Sequence, residues 1–249
     1  MTSADARTGN TISFVVPCYN ERENVAGTVA EIERGVRESS VSKFEIVIVD
    51  DCSSDGTSEV AHQLMSRMSQ LKLVINEKNL GFGGAYKEGV RHATMEYLIM
   101  VPGDNSYPSS GLAEILREAG KADIIVPYRE GGDVRPWYRS GPSIMFTGVM
   151  NFLFRLDLPY YNAPVLHRTR LLKQIEIRTS GFAYGAEALV KLIRRGATYS
   201  TVGIAINERN QGRSSALKPA NLIRVFGAIM SLWVSECIPF WRKPPQLTK

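Results

Sequence analysis

A chain of 249 residues with 44% hydrophobic content can bury one sizeable core, and an α/β chain of this length is commonly a single domain. The net charge of +5 suits nucleic acid, a membrane face or a phosphorylated ligand, but the basic residues form no single run, so charge alone does not choose among them. Three cysteines (Cys18, Cys52 and Cys237) with no CxxC spacing exclude a disulfide framework and a zinc ribbon and fit a reducing cytosol.

The opening MTSADARTGNT lacks a basic stretch followed by an apolar core, so no signal peptide is expected, and no apolar run reaches the ~20 residues that span a bilayer. From residue 12 short β-branched runs alternate with segments of helical period, the pattern of βαβ units around a parallel sheet. Strands are expected at 12–17 (ISFVVP), 44–50 (FEIVIVD), 71–76 (LKLVIN), 97–102 (YLIMVP) and 123–128 (DIIVPY), with near-continuous hydrophobicity that implies burial on both faces. Helices are expected near 22–38, 56–68, 82–94 and 110–120, the second introduced by Ser54-Asp55-Gly56-Thr57, which supplies oxygens for a helix start. Beyond residue 130 come a Gly-Gly turn, an apolar stretch around 142–158, a helix near 184–195, a strand near 198–206, the polar loop NERNQGRSSALKP and a final amphipathic segment.

Right-handed crossovers place every strand's C-terminal end on one edge of the sheet. That edge collects Pro17-Cys18-Tyr19-Asn20-Glu21, Asp50-Asp51-Cys52-Ser53-Ser54-Asp55 and Pro102-Gly103-Asp104. The glycine turn NLGFGG at 79–84 fails as a dinucleotide fingerprint, because the third glycine would fall at Tyr86 and no ribose-binding acid follows a first strand at the right distance. Its small residues are expected to let a helix pack close to the sheet. His62, His92 and His167 show no metal or nucleophile spacing and are assigned no chemistry.

Acids at three strand ends suit ribose hydroxyls, a base edge and a cation-bridged diphosphate. In order, VVPCYNERENV, IVIVDDCSSDGT and MVPGDNSYP resemble the family 2 glycosyltransferases with the GT-A fold, strongly over the first half of the chain and more weakly beyond. The resemblance implies a Rossmann-like, mostly parallel central sheet with flanking helices. It also implies that Pro17, Tyr19 and Glu21 line the base and ribose of a GDP- or UDP-sugar, with Asp51 on the base edge and Asp50 beside it. The family's third motif is Asp-x-Asp, often followed two residues later by Gln. Here Pro102 replaces the first acid and Ser106 the Gln, leaving Asp104 as the metal residue. Magnesium or manganese is often held by one or two carboxylates plus substrate phosphates, so Asp104 suffices if the donor supplies the rest. Pro102 leaves metal dependence open.

Downstream, VPYREGGDVRPWYRSGPS resembles the acceptor stretch of polyprenyl/dolichol-phosphate sugar transferases, which implies an acceptor-phosphate site of Arg129, Arg139 and Ser143 around Gly131-Gly132. ERNQGRSS adds Arg209, Arg213 and Ser214, with Ser215 where those enzymes carry Lys; Tyr161-Asn162-Ala163 replaces their Ser-Gly-Phe. Guanidinium forks suit phosphate oxygens. A phosphate with a second pKa of ~6 is already ionised at neutral pH and attacks without a general base, whereas a hydroxyl acceptor needs one. Glu187 is the reserve base, with a structural role as its equal alternative. Apolar residues at helical spacing in LIRVFGAIMSLWVSECIPFW, and PSIMFTGVMNFLFRLDLP, suit either a membrane interface or the core.

The expectation is therefore one domain (1–249) with a nucleotide-sugar half (1–130), an acceptor half (131–217) and a C-terminal amphipathic helix (218–249). It is an inverting hexosyltransferase, cytoplasmic and peripheral on the inner membrane face. It works by one in-line displacement in which Asp104, Arg129, Arg139 and Arg209 serve catalysis, and it has no nucleic-acid partner. Rivals are transfer to a hydroxyl of a saccharide or small molecule, and a catalytically silent nucleotide-binding protein.

Overall fold

The computed structural model describes residues 10–129, 137–161, 163–181, 183–204, 219–237 and 247, without the side chains of 137–140 and 219–224. The first half alternates strictly: β1 (Thr11–Cys18), α1 (Val25–Arg37), β2 (Lys43–Asp50), α2 (Thr57–Met65), β3 (Leu71–Ile75), α3 (Phe82–His92), β4 (Tyr97–Met100), α4 (Ser109–Arg117) and β5 (Ile124–Arg129). The second half holds α5 (Trp137–Phe154), β6 (Leu166–Arg168), α6 (Thr169–Leu172), α7 (Tyr184–Arg194), β7 (Tyr199–Ile204) and α8 (Pro219–Cys237).

The sheet order is β3-β2-β1-β4-β6-β5-β7, and among the described strands only β6 runs against the others. Because side chains alternate along a strand, β1 sends Phe14 and Val16 to one face and Val15 to the other. The first face is covered by Val25, Val29 and Ile32 of α1 and by Leu112, Ile115 and Leu116 of α4. The second is covered by α3, α5, α6, α7 and α8. Both faces are apolar, so β1, β2 and β4 are almost wholly buried, as their unbroken hydrophobic runs require. α3 approaches the sheet closely because Gly89 has no side chain: a Cβ there would collide with Val15.

The antiparallel insertion of β6 is the main departure from the expected pattern. It pairs three residues with β4 and two with β5 and so joins the two halves into one sheet. It also carries His167 into the apolar layer, opposite Leu98 and Ile124. His167 is buried, and neither ring nitrogen meets a partner at hydrogen-bond geometry among the described residues. Burial pushes its pKa down to about 4, although the Val165 backbone beside it favours the charged form.

The folded pKa thus lies below that of the unfolded chain, so the neutral ring's full stability is present at and above pH ~6.5 and is lost as pH falls toward 4. The loss attributable to His167 is about 3 kcal/mol over that window. Urea denaturation of the wild type and His167→Leu at pH 7.5 and pH ~5 should show a smaller acid-induced drop in the variant. Equal drops would contradict this account.

Candidate active site

Strand order reverses between β1 and β4, and open parallel sheets take ligands in the crevice at such a switch point. The two final carbonyls of β1 fix the chains leaving its neighbours: Pro17 O accepts the N–H of Gly103 (3.1 Å) and Cys18 O accepts that of Asp51 (2.8 Å). Gly103 has to be glycine here, since a Cβ would lie 2.5 Å from Cys18 Sγ. The loops after β1 and β2 are then stitched by Asn20 N–H to Ser53 Oγ (3.0 Å), Glu21 N–H to Thr57 Oγ1 (2.9 Å) and Arg22 N–H to Asp55 Oδ2 (3.0 Å). Asp55 Oδ1 also accepts the Thr57 N–H at the start of α2, as the helix-start reading expected.

Asn20 (φ 55°), Cys52 (φ 64°) and Asn105 (φ 55°) hold left-handed backbone on this edge, conformations that side chains disfavour and that collect at functional sites.

The adjacent acids of β2 part company. Asp50, 1% exposed, turns its carboxylate to Ser53 N–H (2.9 Å) and the Ser58 hydroxyl, closing its own turn. Asp51 reaches the next loop, where its Oδ1 accepts from Asn76 Nδ2 (2.8 Å) and Leu80 N–H (2.9 Å). Asn76 was not singled out by the sequence, where it reads only as the end of a strand. Pro17 is buried, the Tyr19 ring is half exposed beyond β1, and the Glu21 carboxylate accepts from Asn24 Nδ2 (2.7 Å). Burial, with the acids Glu21, Asp50 and Asp104 nearby, pushes the Cys18 thiol's pKa far up, which keeps it protonated and unreactive.

Asp104 stands on the far side of the switch point. Its Oδ1 accepts from the N–H (3.2 Å) and hydroxyl (2.6 Å) of Ser106, so Ser106 is directed at the carboxylate. Among the described residues no three His, Cys, Asp or Glu side chains gather as metal ligands. A lone carboxylate fits a divalent cation that arrives with phosphate oxygens and water, and does not fit a resident structural metal.

Of the expected acceptor residues, Arg129 ends β5 on the same edge. Ser143 lies in α5 with a buried hydroxyl that meets no hydrogen-bond partner among the described residues, a polar atom still to be satisfied. The side chain of Arg139, and Arg209, Arg213 and Ser214, lie outside the described residues.

Glu187 is committed elsewhere. It is 5% exposed, and its carboxylate accepts from Arg178 N–H (3.0 Å), Thr179 N–H (2.9 Å) and Lys191 Nζ (2.5 Å). Burial works to raise its pKa, but the Arg178 N–H, Lys191 and the Thr179 N–H hold it below the usual carboxylate value, so it is a poor base. It acts instead on the strap 176–181. That strap is bound on its other side by α3, where Ser180 O accepts from Gly83 N–H (3.0 Å) and Ser180 Oγ from Lys87 Nζ (3.0 Å). Tyr184 fills the corner, its ring 5.7 Å from Phe82 and 4.6 Å from Tyr86. A cavity of about 180 Å³ lies beside the strap, lined by Glu187, Lys191, and Ser231 and Ser235 of α8.

A mostly parallel sheet with acids gathered at its switch point is the arrangement of an α/β protein with a ligand crevice on that edge. The Glycosyl transferase family 2 model matches residues 13–175, and the chain belongs to that family. It is 26% identical over 211 residues to an undecaprenyl-phosphate mannosyltransferase of Micrococcus luteus, covering 80% of this chain and 85% of that one. It is 30% identical over 190 residues to a dolichol-phosphate mannosyltransferase of Pyrococcus furiosus, covering 72% of this chain but 52% of that one. Among three curated relatives the share of their length that the chain spans runs from 29% to 85%. A glucosyl-3-phosphoglycerate synthase from Mycobacterium tuberculosis, solved with Mn2+, UDP and glucosyl-3-phosphoglycerate, superposes with a TM-score of 0.67 at 15% identity over 92% of this chain and 82% of that one. That likeness bears on the fold, and the GT-A architecture expected from the motif order is present.

Removing a partner from a buried ion pair strands the other charge, so Glu187→Gln should lower unfolding free energy by about 3 kcal/mol. Chemical denaturation tests this. Native stability with abolished turnover would instead mark Glu187 as the base.

Proposed function

We propose that the protein transfers a hexose, with inversion, from a GDP- or UDP-sugar to a polyprenyl-type phosphate at the cytoplasmic face of a membrane. One catalytic domain supplies a donor half (1–130), an acceptor half (131–217) and a surface helix (218–249). The observation that carries this reading is the placement of the Asp104 carboxylate at the switch point, on the same sheet edge as Arg129. The two named mannosyltransferases, whose acceptors are undecaprenyl and dolichol phosphate, support the lipid class.

In this reading Pro17, Tyr19, Glu21 and Asp51 receive the nucleoside, and Asp50 holds the turn that presents Asp51. Asp104 faces the diphosphate and holds its cation, magnesium or manganese; bound there, the ion would neutralise charge developing on the leaving diphosphate. Arg129, Arg139, Arg209 and Arg213, with the Ser143 and Ser214 hydroxyls, align the acceptor phosphate for in-line attack. No general base is needed because the attacking oxygen is already anionic. The rival with a hydroxyl acceptor loses its reserve base, since Glu187 is occupied by the strap and Lys191.

A lipid acceptor also accounts for an apolar surface. α5 exposes Ile144, Met145, Val149 and Phe152, the last 84% exposed, and α8 exposes Phe226 (65%), Met230 and Val234. The spacings 145, 149, 152 and 226, 230, 234 each mark one helical face. The two helices pack together, with Cys237 Sγ 3.8 Å from Leu153 O. No described helix is long and apolar enough to cross a membrane, so this face suits a helix pair lying in the interface.

Purified protein should transfer label from one nucleoside-diphosphate hexose to a polyprenyl phosphate in the presence of Mg2+ or Mn2+. Asp104→Asn should lower turnover by about a hundredfold or more. Absence of both transfer and slow donor hydrolysis across GDP- and UDP-hexoses would leave the silent binding protein. Phe152→Asp with Phe226→Asp should abolish co-sedimentation with phosphatidylglycerol vesicles while leaving the melting temperature unchanged, and undiminished sedimentation would refute the interfacial assignment.

A further inference from the structure

The turn that carries Asp104 rests on one face of α1. The N–H of Asn105, in left-handed backbone, donates to Thr28 Oγ1 (3.0 Å). The Asn105 amide lies over Gly27, where a Cβ would come within 2.7 Å of its Nδ2. Ser109 N–H, where α4 begins, donates to Glu31 Oε2 (2.7 Å). Asn24, Gly27, Thr28 and Glu31 follow the i, i+3, i+4, i+7 spacing of a single helical stripe, used here to hold a loop. Thr28 is 1% exposed, and its hydroxyl donates onward to Asn24 O (3.3 Å). The Asn24 side chain donates to Glu21 Oε2 (2.7 Å). A chain of hydrogen bonds therefore runs from Glu21 through the first turn of α1 to the backbone beside Asp104.

We infer that this stripe, with Thr28 at its centre, is a positioning device that does the aiming an absent first carboxylate would otherwise do. The inference rests on the donor-site reading above. Two acids can cage an ion by chelation. A single acid can do so only if its own direction is fixed beforehand, because the ordering cost is otherwise taken from the binding step. Among the described residues it is restrained by Gly103 pressed against Cys18, by Asn105 seated on Gly27 and Thr28, and by Ser106 bonded to the carboxylate itself. The seat does not reach the base-side residues Asp51 and Asn76, which are tied to the β3–α3 loop. Loss of the seat therefore weakens cation-assisted binding and spares metal-free binding. Asn105 itself is exposed, and melting curves report whether the fold tolerates loss of the hydroxyl.

The test is calorimetric titration of UDP and of GDP into wild type, Thr28→Val and Thr28→Ser, each with Mn2+ and again with EDTA. Thr28→Val should raise the Mn2+-supported Kd by about tenfold, leave the EDTA value unchanged, and be rescued by Thr28→Ser. A parallel loss with and without metal, or no loss in either, overturns the inference. Wild type that binds neither nucleotide in either condition would fell the donor-site reading as well, which separates the two failures. Should melting curves show Thr28→Val unfolded, Ser106→Ala carries the same comparison, with the same selective rise expected and the same parallel loss or absence of change counting against it.

Discussion

The last two carbonyls of β1 point to opposite sides of the strand, one binding the chain that leaves β4 and the other the chain that leaves β2. Everything at the candidate site hangs from that pair. Because β1 is an interior strand buried on both faces, its end is held in place, and the two acid-bearing loops are anchored to it within one residue of Asp51 and Asp104. Cross-loop bonds from Asn20, Glu21 and Arg22 extend the restraint outward. The left-handed backbone at Asn20 and Asn105 is held by neighbouring loops and helix, Asn20 through Ser53 and Ser54 and Asn105 through Thr28 and Gly27. A crevice organised in this way can present like-charged groups to a ligand without letting them relax apart.

The second half of the chain follows a different logic. Its strap has no sheet to hang from and is held by side chains on both flanks, Glu187 and Lys191 on α7 and Lys87 on α3. A buried ion pair of this kind costs much of its attraction in desolvation, while removal of one partner strands the other charge, so the pair holds the strap in one arrangement. With its carboxylate occupied by the strap and Lys191, Glu187 is not available as a general base.

Much of the fold was legible because its signals are periodic. Five apolar runs gave the first five strands to within one or two residues, but the glycine turn at 79–84 does not make the expected close approach to the sheet: Gly81 and Gly83 lie against Ser180, and the helix meets Val15 at Gly89. β6 escaped because three residues carry no period; its direction is set by pairing to β4 and β5, which a sequence does not display. The apolar stretch from 142 belongs to a helix that starts at Trp137 and contains Pro142, a residue more often found at a helix boundary. At the site, residue types told which edge mattered. They did not tell which of two neighbouring acids closes its own turn and which reaches the next loop, since Asp50 and Asp51 differ only in strand phase. Thr28 looked like any buried position on an amphipathic helix, and only the tertiary approach of Asn105 gives its hydroxyl a task.

The central claim is that one restrained carboxylate recruits a cation only together with a diphosphate. The direct measurement is electron paramagnetic resonance of Mn2+ titrated with the wild-type protein, which reads free ion. The account predicts that the protein alone leaves the free-ion signal undiminished, and that protein with GDP or UDP removes it beyond what the nucleotide removes by itself. Strong depletion by the protein without nucleotide, or no additional depletion with either nucleotide, would contradict it.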